Sequence, residues 1–206
     1  MQTYPVRIMP FDQLTALLVL AVTAAFTPGP NNALVASSGA HFGYRRTLPH
    51  VLGIALGFGL MVLCIALFLG ELFQRSALLR ETLRWAGAAL LLYVAYKIAT
   101  AGGLSGDKGR PRPFTFLEAA GFQWINPKAW AMAIAVSTQF VTPVQPVLTA
   151  IIIAAIFCIA GIASASTWTV LGVGLGRFLS TERRLRVFNL TMGLLIAACV
   201  ILLFLD

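Results

Sequence analysis

The chain has 206 residues, of which 59% are apolar and only 11% charged, and its mean hydropathy is +0.86. Soluble domains carry roughly a quarter charged residues, so no large soluble domain fits; the composition is that of an all-α integral membrane protein with several apolar runs of about 20 residues. The net charge of +8 does not point to nucleic acid, because the basic residues lie in short segments between apolar runs and form no domain-sized basic surface.

The segment Met1–Pro10 holds one arginine and no basic cluster, and no small-residue cleavage site follows it. It therefore reads as part of a retained first helix rather than a leader. That helix is predicted over Phe11–Ser38, with Asp12 as a cap or interfacial residue, and it is broken by Thr27-Pro28-Gly29-Pro30-Asn31-Asn32. Neither proline can donate a backbone hydrogen bond, and the glycine between them relaxes the chain further. In hydrocarbon such a break is tolerated only where protein or a watery cavity covers it. A plain proline kink is the simpler alternative, but two flanking asparagines exceed what a kink requires.

A short loop, Gly39–Thr47, leads to a second helix over Pro49–Gly70, with Pro49 suited to its first turn. Gly53 and Gly57 form a small-xxx-small pair for close packing of another helix, within the chain or in a homo-oligomer. His50 lies near the membrane edge, as an interfacial side chain or a proton relay. The loop Glu71–Thr82 is nearly neutral. The third helix, Leu83–Thr100, carries Trp85, Tyr93 and Tyr96 in positions for interfacial belts, and Lys97 can reach the same surface.

Residues 102–113 are rich in Gly and Pro and divide the chain into a first three-helix repeat, 1–101, and a second, 114–206. The glycines there lack the spaced Gly-Lys-Ser/Thr ending of a phosphate loop. The fourth helix, Phe116–Phe140, is interrupted at Gln123-Trp124-Ile125-Asn126-Pro127-Lys128. A fifth begins at Pro146 and runs through Ser164, Ser166 and Thr167 to Gly176, longer than one straight crossing needs. Its hydroxyls either face a site or bond to their own helix carbonyls. The sixth, Val187–Leu205, contains Asn189-Leu190-Thr191, a glycosylation sequon placed where it has no meaning. Cys64, Cys158 and Cys199 fall in apolar segments without paired spacing and read as buried small hydrophobes, not as metal ligands or disulfides.

Six crossings are expected, as two inverted three-helix repeats whose first helices, 1 and 4, are both broken. Interrupted helices in corresponding positions of two halves point to a transporter's central site. Arg45, Arg46, Lys97, Lys108, Arg110, Arg112, Arg177, Arg183, Arg184 and Arg186 fall on one side, against Arg7, Arg75, Arg80 and Arg84. The positive-inside rule places the richer side in the cytoplasm and both termini outside. The half-helix starting near Asn31 offers free N–H groups to an anion, and carbonyls released by Pro28 and Pro30 would accept from an ammonium. Asn31, Asn32, Gln123 and Asn126 both donate and accept. Lys128 is the costliest residue to hold in lipid; it pairs with a substrate carboxylate, titrates, or snorkels to the interface. No Asp or Glu is expected mid-helix, which suits a neutral zwitterion better than a dication.

These residues resemble the LysE/RhtB family of amino-acid exporters. The resemblance covers Thr27–Asn32, Ser37-Ser38, Gly43-Tyr44-Arg45-Arg46, Leu52–Phe58, Trp85-Ala86-Gly87-Ala88, Ala95–Thr100 and Phe122–Lys128. The Pro-Gly-Pro-Asn-Asn and Trp-Ala-Gly-Ala forms are most similar to the cysteine/O-acetylserine efflux branch. Many family members carry Asp where this chain has Asn31, which argues against a basic substrate. The resemblance implies export of a small amino acid from a bacterium across the inner membrane, driven by protons, without ATP, cofactor or metal. Exporters of basic or homoserine/threonine-like amino acids are the alternative, and a membrane scaffold a more distant one. A redox carrier would need cysteines in the two breaks, which have none. An intramembrane enzyme using Ser164 or Ser166 would need a histidine mid-helix to activate them.

Overall fold

The computed structural model describes residues 9–69, 76–100, 112–142, 144–178 and 181–202. The expectations for the extreme N-terminus, the 70–75 loop and the connector up to residue 111 lie outside them. All regular structure in the described residues is helical: α1 (Phe11–Phe26), α2 (Pro30–Phe42), α3 (Tyr44–Cys64) ending in a π-helical turn (Ile65–Leu69), α4 (Ala77–Ala99), α5 (Phe116–Gln123), α6 (Pro127–Phe140), α7 (Pro146–Phe178) and α8 (Glu182–Leu202). Both expected interruptions are present. Tyr44–Phe68 and Pro146–Gly176 are each long and apolar enough to cross a membrane, and α1 with α2, bent by 53°, reaches that length as one broken span.

Several boundaries differ from expectation. The first loop shrinks to Gly43, whose φ of +78° is the left-handed conformation that favours glycine. Pro49 consequently sits inside α3 rather than in its first turn. Helices α4 and α8 start at Ala77 and Glu182, ahead of their apolar stretches. Charged residues end a hydrophobic run without ending a helix, because a helix needs no lipid to continue beyond the bilayer. Asp12 lies in the first turn of α1 but makes no cap; the N-cap is Pro10. Helix α5 does have a capping box, Thr115 with Glu118, and Glu118 also holds Arg112 at 2.7 Å. That hydrogen bond and charge raise the Arg112 guanidinium pKa further. At 33 residues, α7 spans about 50 Å, against a hydrocarbon core of about 30 Å.

Packing runs along small residues. Helix α7 lies against both α2 and α3, α3 lies against α5, and α4 against α8. At the α2–α7 seam a Cβ on Gly39 would collide with the Thr169 carbonyl, and one on Gly172 with the Ala36 carbonyl. Gly53 and Gly57 meet Phe116, Ala119 and Ala120 of α5, so the chain's own helix occupies the face expected to suit a partner helix. Gly193 admits Ala95 and Ala99 at the α4–α8 seam. Without a hydrophobic drive between helices in lipid, this close backbone approach supplies the van der Waals contact that holds the bundle. Gly172→Ala is expected to cost about 1–3 kcal/mol by overpacking, seen as a lower thermal midpoint of the detergent-purified protein. Gly174→Ala, where a Cβ meets nothing, should leave the midpoint unchanged or raise it.

Candidate functional site

The first break deprives the end of α1 of its backbone donors. The last regular bond is Thr27 N–H to Thr23 O, at 2.9 Å, and the next is Ala33 N–H to Gly29 O, at 3.0 Å, already in α2. The carbonyls of Ala25 and Thr27 take donors from elsewhere. The Asn32 amide reaches back to both, at 3.0 Å each. Ser164 Oγ of α7 donates to Ala25 O at 2.7 Å. Lys128 Nζ of α6 donates to Thr27 O at 2.9 Å. Gly29 itself has extended backbone, φ −173° and ψ 179°, which any residue adopts. Its lack of a side chain matters for another reason: a Cβ there would lie 3.2 Å from Lys128 Cδ and Nζ.

The second break is tighter. Trp124, Ile125 and Asn126 donate their N–H groups three residues back, in a 3₁₀-type turn. Asn126 then caps α6: its Oδ1 accepts from Lys128 N–H at 3.2 Å, and its carbonyl accepts from Ala129 and Trp130. Trp130 Nε1 donates to Trp124 O at 2.8 Å and braces the turn. By contrast, α2 starts at Gly29 with no side-chain cap.

The two breaks are joined directly. Asn31 Nδ2 donates to Gln123 Oε1 at 2.9 Å, and Gln123 Nε2 returns to Asn31 Oδ1 at 3.4 Å and also donates to Ala119 O. Between the breaks lies a cavity of about 70 Å³. Ala24, Ala25, Gly29, Pro30, Asn31 and Asn32 line it from the first break, and Gln123, Asn126, Lys128, Ala129 and Met132 from the second. Ile54, Ala55 and Phe58 of α3, with Phe157, Gly161, Ser164 and Ala165 of α7, form the walls. No acidic residue is among this lining, and no cluster suited to a metal ion occurs among the described residues.

Of the residues expected at the site, Gly29, Pro30, Asn31, Asn32, Gln123, Asn126, Lys128 and Ser164 line this cavity. Thr27 and Pro28 are exposed beside it, with the Thr27 carbonyl turned to Lys128. Pro127 is the first residue of α6. Three others stand elsewhere. Thr167 bonds to Ala163 of its own helix at 2.8 Å, and Ser166 pairs with Tyr44 OH at 3.0 Å. His50 is only 2% exposed and packs edge-on against Phe114, 4.9 Å between ring centroids. Helix α3 turns it inward, away from the lining. The apolar walls escape sequence reasoning because alanine, isoleucine and phenylalanine in a membrane helix carry no signal of facing a hollow.

Two measurements check this arrangement. Asn31→Ala and Gln123→Ala should each destabilise by about 1–3 kcal/mol, since each leaves the other amide without its partner. The double variant should fall short of their sum by about 1 kcal/mol in a double-mutant cycle of thermal unfolding. Asn126→Ala should cost about 1 kcal/mol as a lost N-cap, whereas Asn126→Ser should retain most of it.

The chain matches the family model of the LysE type translocators over residues 22–206. It is 30% identical over 192 residues to the cysteine/O-acetylserine efflux protein of Salmonella paratyphi A, covering 93% of this chain and 97% of that protein. With the protein of the same description from Escherichia coli K12 it shares 27% identity over the same extents. No solved structure matches it significantly. The chain belongs to the LysE-type translocators, a membrane transporter family rather than an enzyme family.

Proposed function

We propose that this LysE-type translocator exports small neutral amino acids or related metabolites, cysteine- or O-acetylserine-like, by proton-coupled alternating access across a bacterial inner membrane. The observation that carries this reading is the cavity between two interrupted helices, lined by both breaks and bridged by Asn31 and Gln123. The relatives named above supply the substrate class. A lining without carboxylates disfavours a dication.

The polarity of the breaks orients a zwitterion. Helix α2 begins uncapped at the cavity, so its positive end suits a carboxylate, with Lys128 as countercharge. The end of α1 presents carbonyls and the negative end of its dipole, which suits an ammonium. Lys128 lines the cavity and is the better placed of the two titratable candidates for proton coupling; His50 does not line it.

The two halves, residues 1–101 and 114–206, would be inverted repeats joined by a cytoplasmic connector, with α4, the α5–α6 pair and α8 completing six crossings and both termini outside. The packing supports such a relation. A twofold axis exchanging the halves maps α3 onto α7 and α4 onto α8, and each of these pairs is in contact. It also exchanges α3–α5 with α7–α1, α2–α7 with α6–α3, and α2–α8 with α6–α4; every one of these contacts occurs.

Proteoliposomes loaded with labelled serine, O-acetylserine or arginine test the reading under an imposed pH gradient. The neutral compounds should leave at least tenfold faster than from protein-free vesicles, and arginine should not. Flux of arginine alone, or of none of the three, would sink the proposal.

A further inference from the structure

Resting on that reading, we infer that Lys128 is a resident counterpart of the substrate's ammonium: its Nζ holds the Thr27 carbonyl, and a substrate must displace it from there to bind. Three donors serve the loosened carbonyls of α1. Two are neutral, the Asn32 amide and the Ser164 hydroxyl. The third is the Lys128 ammonium, 2.9 Å from Thr27 O. An alkylammonium is the chemical group that an amino acid would itself present at the negative end of a helix. Thr27 O already accepts from Asn32 as well as from Lys128, and a carbonyl oxygen has two lone pairs. An incoming ammonium therefore cannot join; it has to replace one donor.

Lysine is the donor built to leave. Its stem is flexible and its head is a point charge with three rotatable donors, whereas Asn32 is anchored to two carbonyls at once. Gly29 keeps the way clear, since any side chain there would press on Lys128 Cδ and Nζ. Once displaced, the lysine can follow the substrate carboxylate, so exchanging one ammonium for the other conserves the charge facing α1 and gains an ion pair. A ligand with an amine but no carboxylate offers the displaced lysine no anion. The exchange thus selects for ligands carrying both groups, and Lys128 becomes a specificity determinant as well as a countercharge.

The test uses ethanolamine, which is serine without its carboxylate, and thermal stabilisation of the purified full-length protein in detergent. Wild type and Lys128→Arg, which keeps a cation for Thr27 O, should show little stabilisation. Lys128→Met should bind ethanolamine at least tenfold more tightly than wild type. Gly29→Ala, which places a methyl group 3.2 Å from Lys128 Cδ and Nζ and so weakens the hold on the carbonyl while leaving residue 128 intact, should shift affinity in the same direction and covers the case in which Lys128→Met does not fold. Equal ethanolamine binding by wild type and both of these variants, or binding by none, overturns the inference. The transport reading fails separately: wild-type vesicles that release no neutral amino acid would end it even if ethanolamine binding followed Lys128.

Discussion

A polypeptide in hydrocarbon must satisfy its own carbonyls, and the first break in this chain makes that a problem of the whole molecule. Beyond Thr27 the backbone is extended, ψ 128° at Thr27 and φ −173° at Gly29, so Gly29 and Asn31 cannot return their N–H groups to Ala25 and Thr27 and the end of α1 cannot close its last turn. Each buried carbonyl left without a donor would cost several kcal/mol in lipid. The donors that answer come from three elements: Asn32 from α2, Ser164 from α7 and Lys128 from α6. The break is therefore held open only while α2, α6 and α7 are in place. Polar residues that would be expensive anywhere else in these helices are retained because the broken backbone needs them.

The two breaks are alike in sequence and unlike in physics. Asn126 caps α6, and a 3₁₀ turn carries the chain across the gap, so the second break consumes most of its own polar groups. The first lets α2 start at a glycine without a cap and sends the ends of α1 to distant side chains. Two breaks satisfied locally would form a kinked scaffold. Two breaks left open would be too costly to fold. One rigid and one borrowed give a firm wall facing an adaptable one.

Much of this was legible in the chain. The breaks at Pro28–Pro30 and Asn126–Pro127 were, because proline chemistry is local. The starts of α4 and α8 were not, since Arg80, Glu81 and Arg183 are good helix residues that end an apolar run without ending a helix. Roles were harder than places. Asn32 and Asn126 share a side chain with Asn31, yet two of them serve the backbone and one bridges the two breaks. Ser164 and Thr167 lie one turn apart on α7, and only the partner of each hydroxyl separates a residue bonded to another helix from one bonded to its own. Such distinctions depend on which helix lies opposite, which no local pattern records.

The same small residues produce both the tight seams and the hollow. At the α2–α7 seam Gly39 and Gly172 are filled by an opposing carbonyl, and at the α3–α5 seam Gly53 and Gly57 are filled by Phe116 and Ala120. At the level of the breaks Ala24, Ala25, Ala55, Gly161 and Ala165 are equally small, but the 53° bend carries α1 away from the line of α2. No backbone is left on that line to fill the space they leave. A bundle with larger residues here would close over the break and remove the cavity; one with a straight first helix would form a seam along its whole length. The hollow follows from combining small side chains with a bend, and the lysine, asparagines and glutamine lie at its edge because the bend is where the backbone needs them.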